Sequence, residues 1–81
     1  MLDEEIHEKV QNVFRSVFED PNFLISDELH AGMVPKWDSL LHITLITEVE
    51  RAFSVRFRNA EIARLNNIGN LKDLVAKHLR R

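Results

Sequence analysis

Asp38, Ser39 and His42 bring a carboxylate, a hydroxyl and an imidazole together within five positions, the residue types of a hydrolytic triad. A working triad needs these groups to converge on one reacting atom beside an oxyanion hole. Crowded into a single helical turn they cannot converge, and the chain's two glycines, Gly32 and Gly69, build no glycine-rich turn next to them. Hydrolysis at Ser39 is therefore set aside, and no catalytic residue is assigned. A serine in the first turn of a helix can do something else. Its hydroxyl stands beside backbone N–H groups that have no partner and at the positive end of the helix dipole, where an attached phosphate is stabilised. The bare run Asp38-Ser39-Leu40 also reads as an ordinary helix start, with Asp38 as the cap. The local residues leave both readings open.

Other chemistries narrow quickly. The chain has no cysteine, so it offers no disulfide, no thiolate metal site and no cysteine nucleophile, and any thiol has to come from a bound group. Its four histidines, His7, His30, His42 and His78, are scattered with no two at the i, i+4 spacing of a metal-binding helix face; they are expected to be solvated, and no metal site is assigned. A net charge of -2 with both signs interleaved lacks the basic field that nucleic acid requires. No apolar run approaches the roughly 18 residues of a membrane span, and the N-terminus is acidic where a signal peptide is basic. A cytoplasmic, monomeric protein of one domain, residues 1–81, is expected.

The elements that must position Ser39 are helices. Two glycines, two prolines and no alternating β-branched run predict helices joined by irregular segments. The first helix is expected from Asp3 to Phe18, with Ile6, Val10, Val13 and Val17 as its stripe, widened by Phe14 and Phe18. The segment from Glu19 to Trp37 is too long for an ordinary connection. Phe23, Leu24, Ile25, Leu29, Met33, Val34 and Trp37 suggest that it is pinned to the core. Asp38 caps a second helix from Ser39 to Phe53, whose inner face is Leu45, Ile46, Val49 and Phe53. A short link then leads to a third helix of one or two turns, Ala60 to Leu65. Asn67 caps a fourth, with Ile68, Leu71, Leu74, Val75 and Leu79 buried and Lys77, Arg80 and Arg81 at its dipole's negative end.

The wider register resembles the acyl carrier protein family. Trp37-Asp38-Ser39-Leu40 is followed by Ile43, Leu45, Ile46, Val49, Glu50 and Phe53, then by Val55, Phe57 and Glu61, and finally by Asn67-Ile68, Leu71 and Leu74-Val75. The family pattern is Asp-Ser-Leu, a helix ending near Glu-x-x-Phe, a short extended link, an acidic residue opening a small helix, and a polar-Val/Ile-x-x-Leu start to the last helix. The resemblance implies an all-α, four-helix bundle of acyl carrier protein type, with a short third helix and a long loop between helices one and two. It also implies a carrier in place of an enzyme. The serine at position 39 would receive a 4'-phosphopantetheine group from coenzyme A through a phosphopantetheinyl transferase. The arm's thiol would then carry acyl groups as thioesters to acyl-loading, condensing and acyl-transferring enzymes. Asp38, Leu40 and His42 would flank the attachment point; His42, three residues after Ser39 and so on the same helix face, would contact the arm's phosphate, best when protonated, or a partner enzyme. Trp-Asp-Ser-Leu-x-His looks like stand-alone bacterial carriers serving secondary metabolites or surface polysaccharides. An aminoacyl or peptidyl carrier, or a helical interaction module that is never modified, is the alternative.

Two departures from the family's common form shape further expectations. Its second helix is usually strongly acidic, whereas here Leu40, Leu41, Thr44 and Thr47 occupy the outer face and Arg51 interrupts Glu48 and Glu50. Partner recognition should then rest on apolar contact with little electrostatic steering. An acyl cavity would be lined by Leu45, Val49, Phe57, Ile62, Leu65 and Ile68. Phe57 is larger than the isoleucine common there, which favours short or polar cargo.

Overall fold

The computed structural model describes residues 2–80 and is all-helical: α1 (Asp3–Val17), a 3-10 turn (Ala31–Met33), α2 (Ser39–Phe53), α3 (Asn59–Ala63) and α4 (Ile68–Leu79). Arg81, expected to complement the dipole of α4, lies outside the described residues. The expected bundle forms with its boundaries shifted by a residue or two, except that α3 stops at Ala63 and leaves Leu65 in the link. Among the described residues no helix is long and apolar enough to cross a membrane.

α1 and α2 end alike. Glu19 and Ser54 both adopt φ of 54°, the left-handed conformation that closes a Schellman turn. The N–H of Glu19 donates to Ser16 and that of Asp20 to Arg15; the N–H of Ser54 donates to Arg51 and that of Val55 to Glu50. Neither position is a glycine; Pro21, two residues beyond Glu19, is the stop signal for α1, and the sequence carries no comparable one for α2.

On α1, Ile6, Val10, Phe14 and Phe18 are buried and Val13 and Val17 fall at the stripe's edge. The loop after α1 is pinned as expected by Ile25 and Trp37, but Leu24 and Met33 are exceptions, 73% and 59% exposed. Apolar type alone does not decide burial in a loop, since no helical period obliges one side to face inward. What ties the loop down is largely polar: Gln11 accepts from the N–H of Ile25, Arg15 donates to the carbonyl of Phe23, and Lys36 donates to that of Phe18. Lys72 reaches across from α4 to Asp27 at 2.8 Å, with His7 beside it at 3.0 Å. The loop also supplies the start of α4, for the carbonyls of Leu29 and Asp27 accept from the N–H groups of Ile68 and Gly69 at 3.0 and 2.9 Å. Gly69 suits this approach, because a β-carbon there would lie 3.3 Å from the Asp27 carbonyl oxygen.

α3 is held by one carboxylate. Glu61 accepts from the N–H of Arg58 at 2.8 Å and from His78 Nε2 at 3.0 Å, with Lys77 at 3.4 Å. The His78 side chain is only 8% exposed and packs edge-on against Phe57, so it is a buried tie between α3 and α4 and departs from the solvated residue expected. The Arg58 N–H foremost, with His78 and Lys77, lowers the Glu61 carboxyl from 4.5 to about 2. Its hydrogen bond and charge to Lys72 lower the Asp27 carboxyl as well. A carboxyl depressed by folding contributes stability that is complete above its ordinary value and disappears as pH falls through the folded one. The stability difference between the parent and Glu61→Gln should therefore shrink towards zero as pH falls from about 5 to about 2, read from denaturation midpoints across that window. A difference that does not change with pH would contradict this.

Candidate functional site

Ser39 is the first residue of α2, and its side chain is exposed. Asp38, in extended conformation, precedes it and accepts from the N–H of Leu41 at 2.9 Å, which fixes the point at which the helix begins. The Asp38 carbonyl takes the next amide, that of His42. The serine hydroxyl thus stands at the open end of a 15-residue helix, where an anion is favoured by about 0.3–1 kcal/mol. An exposed hydroxyl with free approach on the solvent side fits a phosphodiester. Asp38, occupied in capping, is a structural member of the site.

His42 does not project into solvent. It is half-buried, and its Nδ1 accepts from the indole N–H of Trp37 at 3.2 Å. Trp37 is buried at the end of an aromatic cluster: Phe14 meets its ring edge-on at 5.2 Å, and Phe18 and Phe23 complete the group. The sequence shows Trp37 as a large apolar residue but gives no sign that its N–H needs His42. The signal, available in retrospect, is a histidine five positions after a tryptophan that must be buried, in the first turn of the helix that follows it.

Beside this pair lies an apolar pocket of about 80 Å³. Leu45, Leu65 and Ile68, three of the six residues named for an acyl cavity, line it. Val49, Phe57 and Ile62 do not. Val49 is fully buried, and Phe57 turns to His78, away from the pocket. Phe14, Trp37, His42, Ile46 and Leu71 take their place, so the pocket sits nearer Ser39's end of α2 than the sequence indicates. A more open groove of about 410 Å³ runs between α1 and α2 but touches α2 only at Glu48, Arg51 and Ala52. That is at least nine residues along the helix from Ser39, or about 13 Å.

The outer face of α2 is apolar. Leu40 and Ile43 are 73% and 64% exposed, Ile43 being a member that the sequence reading omits from this face. Leu41 belongs instead to the rim of the core, half-buried against it. Thr44 and Thr47 are exposed, but their hydroxyls donate back to the carbonyls of Leu40 and Ile43. Glu48 pairs with Arg51 at 3.4 Å. Glu50 is spent internally, accepting from the N–H of Phe57 at 2.7 Å. The face offers surface area and little net charge.

Neither a protein-family model nor a curated protein matches the chain. The solution NMR structure of a holo acyl carrier protein from Geobacter metallireducens does match it, at a TM-score of 0.86 and 36% identity, over 93% of this chain and 86% of that one. An identity of that size across almost the whole length, with the same helical arrangement, places the chain in the acyl carrier protein family, as a carrier and not a catalyst.

Proposed function

We propose that Ser39 carries a 4'-phosphopantetheine arm, transferred from coenzyme A by a phosphopantetheinyl transferase in the cytoplasm. On this reading the protein presents acyl groups to the enzymes of a biosynthetic pathway. The observation that carries the reading is the exposed hydroxyl of Ser39 at the capped start of α2. That the Geobacter metallireducens protein is a holo form supports it. The bound arm supplies a thiol, which this cysteine-free chain lacks, and holds acyl groups on it as thioesters. The tether keeps cargo at high effective concentration near each partner. Incubation with coenzyme A and a promiscuous transferase tests the reading by intact mass. A gain equal to one arm, mapped to Ser39, is expected; no gain, or a gain mapped elsewhere, overturns it.

The pocket argues for small cargo. About 80 Å³ is roughly half the ~150 Å³ that admits a benzene ring, enough for a fragment of a few carbons. Its walls are close-packed core residues that a longer chain would have to displace. Butanoyl-loaded protein should melt above the unacylated holo form, and hexadecanoyl-loaded protein should show no further rise. A melting temperature that climbs steadily with chain length would refute the size limit. For partner enzymes, Leu40, Ile43, Thr44 and Thr47 supply an apolar docking stripe beside the arm, with Glu48 and Arg51 cancelling at its far end.

A further inference from the structure

Trp37 is 8% exposed, so its indole N–H needs a partner inside the protein. His42 Nδ1 accepts it at 3.2 Å. The two rings lie 24° from parallel with centroids 6.1 Å apart, so the imidazole packs beside the indole as well as accepting its N–H. A ring nitrogen that accepts a hydrogen bond carries no proton, which in the neutral imidazole puts the proton on Nε2. Trp37 is itself clamped by Phe14 and Phe18. The outcome is an N–H donor fixed in tautomer and orientation, three residues after Ser39 on α2. Residues at that spacing share a face, with β-carbons about 5–6 Å apart. The charged and titratable groups around it are engaged elsewhere: Asp38 with the N–H of Leu41, Lys36 with the carbonyl of Phe18, and His30 with the N–H of Gly32.

We propose that Trp37 is a positioning residue for the arm: it holds His42 as the Nε2–H tautomer, and that N–H donates to a phosphodiester oxygen carried on Ser39. This rests on the modification of Ser39 proposed above. The donor is the neutral ring, so the contact does not require the protonated imidazole that the sequence reading favours. Because His42 also lines the small apolar pocket, the contact sets the root of the arm on the side of α2 from which cargo enters.

The test uses the holo protein and two nuclei. A phosphodiester does not titrate near neutrality, whereas histidine ordinarily changes charge between about pH 5 and 8, so a 31P resonance that follows pH in that range reports a neighbouring imidazole. The 31P shift should show one inflection that disappears in His42→Gln, whose amide oxygen can still accept from Trp37. Long-range 1H–15N spectra should show His42 protonated at Nε2 in the neutral form, and Trp37→Phe should average its two nitrogens and shrink the inflection. A resonance with no inflection, an inflection that survives His42→Gln, or an Nδ1–H tautomer each overturns the proposal while leaving Ser39 modified. Absence of both a 31P resonance and a mass gain overturns the modification itself, and the contact with it.

Discussion

Ser39→Ala is expected to fold as the parent does and to gain no mass at all from coenzyme A and transferase. The two halves of that result have separate causes. Folding is untouched because the serine side chain is exposed, because Asp38 and not Ser39 caps α2, and because alanine is the better helix former. A surface change of this kind stays within about 0.5 kcal/mol. Modification is lost completely because no second hydroxyl stands at a helix start in this geometry; Thr44 and Thr47 are committed to carbonyls within α2. Thermal melting and intact mass on the same sample check both halves. Modification of the alanine variant would show that the arm sits elsewhere, and a collapse in melting temperature would show that Ser39 is structural.

Phe14→Ala is expected to cost about 3–5 kcal/mol, the upper range for a core truncation. Phe14 has no exposed surface, packs on Phe18, Phe23 and Trp37, and forms one wall of the small pocket. Removing its ring joins a new void to space that is already open, so the walls have little on which to collapse. At roughly 0.05–0.15 kcal/mol per residue, a domain of this size has a total stability of about 4–12 kcal/mol. The variant should melt at least about 12 °C lower or be unfolded at room temperature, as circular dichroism would show. Leu24→Ala is the matched control, because Leu24 is 73% exposed and its truncation should be almost silent. A fall of only a few degrees for Phe14→Ala would mean that the aromatic cluster is not the keystone of the fold.

Periodicity made the helices legible, and the reasons are visible in particular residues. Ile6, Val10 and Phe14 repeat at helical spacing and are buried; Asp38 and Asn67 are capping types and do cap. Ser39 is recognisable because a motif and a helix start coincide there. The site's surroundings were less legible, because they depend on which loop residues turn inward. Leu24 and Met33 look like core and are not, and the pocket takes Trp37 and His42 in place of Phe57 and Ile62. Polar ties were hidden altogether: nothing in a linear reading pairs Glu50 with the Phe57 amide or His78 with Glu61 across 17 positions.

The two loop carbonyls that receive the first amides of α4 have a consequence for how the molecule comes apart. An amphipathic helix of 12 residues is too short to persist in water unaided, and here its opening turn finds acceptors some 40 positions upstream. Undocking the Asp27–Leu29 stretch therefore strips the first two amides of the last helix of their acceptors at the same moment, leaving Asn67 alone to hold its start. The segment that looks most like a passive connector is in this respect the terminal helix's other half, and the two are expected to exchange their amide protons with solvent as one cooperative unit.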